Sequence, residues 1–268
     1  MRHKTRLIAG ILIIIGLIGI IITGGDLFMS NKEQSGKEVI SDANINQVHI
    51  KSDVATINLL PSASDDIEVA WEGSKTRQHN LTIRQDDKTL EIVVEADRGF
   101  FSRIFSFGFF DYFLNVSIYL PERHYEHVSI NSDVGNVSIT SLDVNHLVSK
   151  TDVANMTIKN IKADVIDVKT NVGNVNLSNV TGAINAQSDV GKLDLKLKEI
   201  TDHIQLTSDV GKISMSLPEI PNNVSFIGSS NIGKISIFGQ NGNYMNSQAD
   251  FTVDMRTDVG KIDVHTAR

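Results

Sequence analysis

From Ser188 the chain reads SDVGKLDL, and from Ser208 it reads SDVGKISM. The same octet begins at Ser132 (SDVGNVSI), Thr151 (TDVANMTI), Thr170 (TNVGNVNL), Ser230 (SNIGKISI) and Thr257 (TDVGKIDV), with a diverged copy, SDVATINL, at Ser52. From Ser132 onward, successive starts lie 19, 19, 18, 20, 22 and 27 residues apart. A near-constant step of this size marks a structural repeat. A unit this small cannot bury its own apolar face, so it must stack on copies of itself.

Within each copy the apolar period is two. Ile184, Ala186, Ser188 and Val190 alternate with Asn185, Gln187 and Asp189, as in a strand with one buried face. Ile204, Leu206, Ser208 and Val210 keep the same phase, as do Val48, Ile50, Ser52 and Val54. On this reading Val210 faces inward, and so do Ile213 and Met215 beyond the glycine. Inward residues three apart require a bend, which Gly211 permits. Each copy is therefore strand, corner, strand, and a third segment such as ITSLDVNHL closes the coil. The expected fold is all-β: a parallel β-solenoid of about 19-residue coils. An antiparallel sandwich is the alternative, but it gives no reason for one octet in one phase at a fixed step.

Residues 128–268 form the expected repeat region. Residues 39–127 read as an irregular β cap that covers the first edge of the solenoid. Its candidate strands are 67–71, 81–84, 90–95 and 116–120, with a hairpin turn at Asp86-Asp87-Lys88. Upstream, residues 1–6 (MRHKTR) form a basic flank, residues 7–28 open with the 19 uncharged residues LIAGILIIIGLIGIIITGG, and residues 29–38 are a polar linker. As a helix, the uncharged run reaches about 28 Å, close to the roughly 30 Å hydrocarbon core of a bilayer. No A-x-A-like cleavage site follows it. The expectation is one transmembrane helix retained as a signal-anchor, with the basic flank in the cytoplasm and the β region outside the cell membrane.

The chain carries 25 Lys and Arg against 32 Asp and Glu, a net charge of −7. Without residues 1–28 the balance is 22 − 31 = −9. That excludes a nucleic-acid partner recognised through bulk charge. There is no cysteine, so neither a disulfide nor a thiolate metal site can form. No cofactor is expected.

Four sets of side chains are candidates for chemistry. The octets place Asp133, Asp152, Asp189, Asp209 and Asp258 in one column, with Asp53, Asn171 and Asn231 at equivalent places. Stacked carboxylates suit calcium, but Asn serves at the same position. Hydrogen bonding to the turn backbone therefore accounts for the column better, with Lys192, Lys212, Lys234 and Lys261 balancing its charge. A hydroxyl column (Ser52, Ser132, Thr151, Thr170, Ser188, Ser208, Ser230, Thr257) shares no period with a histidine, so a structural role is expected. His124 and His127 are three apart beside Pro121, where a solvated loop is expected rather than a zinc pair. Finally, FFSRIFSFGFFDYF at 100–113 concentrates Phe100, Phe101, Phe105, Phe107, Phe109, Phe110 and Phe113. These rings either fill the cap or form an apolar contact surface for the membrane or a partner. No catalytic residue stands out.

The recurrent G-x-[IV]-x-[IVL] octets, the N-terminal basic and apolar segments and the mixed-β front half resemble the bacterial "putative adhesin" family of β-strand-repeat envelope proteins. The resemblance spans roughly residues 1–264, and the layout is similar to that of its LiaG-like, membrane-anchored members. It implies a non-catalytic extracytoplasmic protein of a cell-envelope stress (Lia-like) module, a binding or accessory component whose partner is an envelope protein or a cell-wall polymer. The alternatives are a surface adhesin or structural envelope protein, and a β-helix enzyme acting on polysaccharide.

Overall fold

The computed structural model describes residues 33–74, 80–96 and 114–267. The expected anchor at 7–28 and the aromatic stretch at 100–113 lie outside the described residues. Among those described, the regular elements are strands, and no helix is long and apolar enough to cross a membrane.

The coil is plainest in β8 (Val137–Val153), β9 (Met156–Val172) and β10 (Val175–Val190). Each runs through three segments. Residues 137–140 stack on 156–159 and 175–178, residues 142–144 on 161–163, and residues 146–153 on 165–172, all parallel. The interior follows from the alternation. Val137, Met156 and Val175 form one buried file, continued by Leu193, Ile213 and Ile262. Ile139, Ile158, Leu177, Leu195, Met215 and Val264 form the next. Burying each such side chain contributes about 1.5–3 kcal/mol relative to exposure, so the coils hold without disulfides.

Neighbour order departs from chain order at both ends. β2 (Gln47–Pro61) carries the Ser52 octet and pairs parallel with β7 (His124–Val134), which sets Ser52 beside Ser132. The other edge of β2 is covered by β5 (Thr89–Glu95) and β6 (Leu114–Leu120), both parallel. β4 (Asn80–Asp86) joins β5 as the expected hairpin, with Asp87 at φ +50 in the turn. β3 (Ile67–Ser74) bridges β6 and β1 (Glu33–Ile40), antiparallel to each.

At the far end, β12 (Ile204–Val210) pairs with β16 (Phe251–Val259), and β16 pairs with β14 (Val224–Ile232). The segments that follow the corner repeat this order: β11 (Leu193–Lys196), β13 (Ile213–Leu217), β17 (Ile262–Thr266), then β15 (Ile235–Ile237). The octets therefore stack in the order 52, 132, 151, 170, 188, 208, 257, 230. The final copy is inserted between the two that precede it in the chain. The last two steps, 22 and 27 residues, carry the backbone out past one place and back again.

The structure corrects the phase expected at the corner. Val190, Val210, Val259 and Ile232 do stack in register, but they do not point inward. Val210 is 37% exposed, Val259 43% and Ile232 68%, while Ser208 and Ile213 are buried. The bend takes up Asp-Val-Gly, not the glycine alone, so at these corners the apolar residue rides on the outside, whereas Val54 in the diverged copy is buried as expected. The glycine is still required for close approach. A Cβ on Gly173, at φ +146, would lie 1.7 Å from the carbonyl oxygen of Ala154 in the adjacent coil. Alanine occupies this column at 55 and 154, and in the stack each is separated from the other by Gly135.

Candidate binding groove

The turn between the first and second segments of a coil falls at Ser141, Asn160 and Asn179, whose φ values are +56, +55 and +52. Asn tolerates this left-handed conformation better than most residues do. The three stack one coil apart, and Asn179 Nδ2 donates to Asn160 Oδ1 at 2.7 Å. Beyond the turn, Leu142, Ile161 and Val180 are buried, whereas Asp143, Lys162 and Thr181 face outward in register. Two rails of polar side chains thus run along the solenoid axis over an apolar floor.

The space they line is an open groove of about 580 Å³, bounded at one end by Pro121, Glu122, Arg123 and His124. Asp143 is its electrostatic centre. One carboxylate oxygen accepts Lys162 Nζ at 2.8 Å, and the other meets His124 Nδ1 at 2.7 Å. These bonds, that from Lys162 foremost, hold Asp143 below the usual carboxylate range, and Asp143 in turn raises Lys162. All three groups are solvated, so the pairs contribute little to stability; they set the charge pattern of the groove. Arg123 is committed elsewhere. Its guanidinium donates to the carbonyls of Ala43 and Ile45 at 2.8 Å each and of Asp42 at 3.3 Å, which ties down the groove's end.

The structure distributes the candidate residues as follows. The acid column exists, in the spatial order Asp53, Asp133, Asp152, Asn171, Asp189, Asp209, Asp258, Asn231. It is two runs of three carboxylates, each ended by an asparagine: Asn171 donates to Asp152 and Asn231 to Asp258, both at 3.0 Å. Burial first, and the flanking acids next, push the middle members Asp133 and Asp209 above the usual range. No cluster with metal-ligand spacing occurs among the described residues.

The expected turn chemistry belongs instead to the fifth octet place. Asn136, Asn155 and Asn174 each accept, through Oδ1, a backbone N–H of the next coil, from Asn155, Asn174 and Lys192 at 3.3, 3.1 and 3.0 Å. The exchange of Asn for Lys at that place, halfway along the repeat, is the sequence signal for this role. Nor do the lysines balance the acid column. Lys192 pairs with Asp194 at 3.1 Å, and Lys212 and Lys261 pair with Asp263 at 3.3 and 3.1 Å.

In the hydroxyl column, Ser188, Ser208, Thr257 and Ser230 donate to the corner carbonyls of Gly173, Gly191, Gly211 and Gly260 in the preceding coil of the stack. Thr170 donates to the carbonyl of Val172 in its own turn, whereas the hydroxyls of Ser52, Ser132 and Thr151 are buried without a hydrogen-bond partner among the described residues. His124 and His127 stand on a strand, β7, rather than in a loop, and do not meet. His124 lines the groove, whereas His127 joins His49 and His146 in a row with ring centroids 5.5 and 6.4 Å apart. The Phe set at 100–113 lies outside the described residues.

Parallel coils closed by a corner ladder, with an open polar groove on one edge, define a β-solenoid repeat protein. The chain belongs to the Toastrack DUF4097 family, whose model matches residues 45–181 and again 166–267. No curated protein matches it. Similar solved structures include a "putative cell adhesion protein" from Clostridium sporogenes ATCC 15579, 14% identical, covering 88% of this chain and 100% of that one with a TM-score of 0.40. They also include a "putative adhesin" from Bacteroides fragilis NCTC 9343, 15% identical, 88% and 98% covered, TM-score 0.45. A third, from Parabacteroides distasonis ATCC 8503, is 14% identical, 89% and 98% covered, TM-score 0.44.

Proposed function

We propose that the protein is a non-catalytic binding component displayed outside the cell membrane, held there by a helix formed from residues 7–28, and that it serves a Lia-like cell-envelope stress module as a LiaG-like member. The observation that carries the binding role is the groove. Its polar rails are locked coil to coil by Asn179–Asn160 and by Lys162–Asp143–His124, so a ligand meets a preorganised surface. The 19-residue uncharged run behind a basic flank supports the anchor and its orientation.

A photo-crosslinking residue placed at Thr181 in intact, envelope-stressed cells tests the site. Capture of an envelope component there, and not from an equivalent probe at Lys150 on another face, is the expected result. No Thr181-specific product would end the assignment of the groove. Protease added to intact protoplasts should digest the β region and leave a short N-terminal stub; a β region that stays protected would reverse the orientation.

A further inference from the structure

We infer that the groove takes an extended, uncharged β-linked glycan strand laid along the solenoid axis, an inference that rests on the binding role proposed above. Periodicity is the first argument. Ser141, Asn160 and Asn179 form one rail and Asp143, Lys162 and Thr181 the other, and both advance by one coil, about 4.8 Å, per step. Two steps are therefore roughly 9–10 Å. An extended β-1,4-linked glycan turns over at every sugar and repeats its hydroxyl and N-acetyl groups every second sugar, a period of that size. Ser141 and Asn179, two coils apart, can therefore meet equivalent groups on successive disaccharides.

Charge is the second argument. Among the lining residues Arg123 and Lys162 offset Glu122 and Asp143, so the groove sums to zero with His124 neutral. Arg123 is committed to three backbone carbonyls and Lys162 to Asp143. A polyphosphate or an acidic peptide finds no unpaired cation here. What remains free are groups that both donate and accept. The amide pair spends only one donor of Asn179 and one lone pair of Asn160. That leaves both N–H groups of Asn160 and the carbonyl of Asn179, beside the Ser141 and Thr181 hydroxyls. These are the complements of sugar hydroxyls and N-acetyl amides.

Shape is the third. The groove is open to solvent on its side and walled at one end by residues 121–124, so a chain can lie along the rails and leave by the other end. No Phe, Tyr or Trp lines it among the described residues. Each sugar is therefore held by hydrogen bonds for which water competes, and affinity must accumulate with length.

The test uses the full chain in detergent and four probes: N-acetylchitooligosaccharides of two, four and six sugars, and poly(glycerol phosphate). The tetrasaccharide should bind about tenfold more tightly than the disaccharide, and the hexasaccharide should add little once the rails are filled. Thr181→Val and Asn160→Gly, the second keeping its left-handed backbone free of strain, should each weaken tetrasaccharide binding about fivefold or more. Lys150→Ala, on another face, should leave it unchanged. Unaltered melting temperatures would separate lost contacts from lost folding. Binding of poly(glycerol phosphate) with the same sensitivity to these variants overturns the neutral-glycan assignment, as does glycan binding indifferent to length or to both variants. Failure of every oligosaccharide while the Thr181 crosslink in cells persists would sink the glycan and leave the binding role standing. Failure of both would sink the two together.

Discussion

Asn171 donates its side-chain amide to the carboxylate of Asp152 at 3.0 Å across one coil step. An asparagine at this place caps a run of like charges that would otherwise continue through Asp189. The column tolerates three stacked acids, then neutralises the fourth place.

The stability of Asp209 should respond accordingly. It lies between Asp189 and Asp258, and burial followed by those two neighbours raises its affinity for protons. A carboxyl raised in the folded state binds protons there more tightly than in the unfolded chain. Stability is therefore highest at acid pH and falls as pH rises through the raised value. Asp209→Asn should raise the melting temperature at pH 7 by an amount equivalent to at most about 1 kcal/mol, since the group is largely solvated. The gain should vanish below the usual carboxylate range. Asn171→Asp should do the reverse. Equal melting curves for the three proteins at pH 7 would show that the column does not feel its own charge.

The row His49–His127–His146 makes the opposite dependence. Burial, with His49 and His146 next, lowers the affinity of His127 for protons. A histidine depressed in the fold contributes fully above its unfolded value of about 6.5 and loses that contribution as pH falls through the depressed value. Glu91, beside His49 on β5, is already paired with Lys51 at 3.1 Å. Between pH 7 and 5.5 the wild-type protein should lose stability faster than His127→Gln. Parallel curves would mean that the three imidazoles titrate independently.

At the corner, Val210→Asp should be mild, within roughly 1 kcal/mol, because the side chain is already exposed to solvent. Leu206→Asp, four residues earlier and fully buried, should cost several kcal/mol or abolish folding. Denaturant titration of both decides the phase of the octet.

Hydrogen exchange should report the inverted order of the last coils. β16 has a partner strand on each side, β12 and β14, whereas β14 has β16 on one side and only an isolated bridge, Phe226 to Tyr244, on the other. Amides in residues 228–232 should exchange before those in 253–259, although the latter are closer to the C-terminus. Exchange advancing inward from residue 266 would contradict the insertion.

Much of this architecture was legible in the octets. Their fixed step demanded a stack, and the inward places of Ser188, Ile213 and Met215 followed from period two and the corner. Three things were not legible, each for a physical reason. Val210 was misplaced because alternation assigns two faces, and a corner residue belongs to neither. The position of the Thr257 copy between Ser208 and Ser230 was hidden because near-identical octets stack equally well in any order; the connection between 237 and 251 decides it, and loop length alone does not encode direction. The groove and the histidine row escaped because their members come from coils some 19 residues apart, or, for His49 and His127, from strands 78 residues apart that only the β2–β7 pairing brings together. No local motif announces such a site.

The inserted final coil has a consequence for how the molecule is made. A solenoid wound in chain order can close behind the ribosome, each turn templated by the one before. Here the edge of β12 takes residues 251–259, which follow the Ser230 coil in the chain and must enter between the two. The segment 251–266 is a clasp. Until it is threaded into place, the partly folded molecule presents a bare strand edge open to other chains. A copy cut short before residue 251 should be recognisable to quality-control proteases by that open edge.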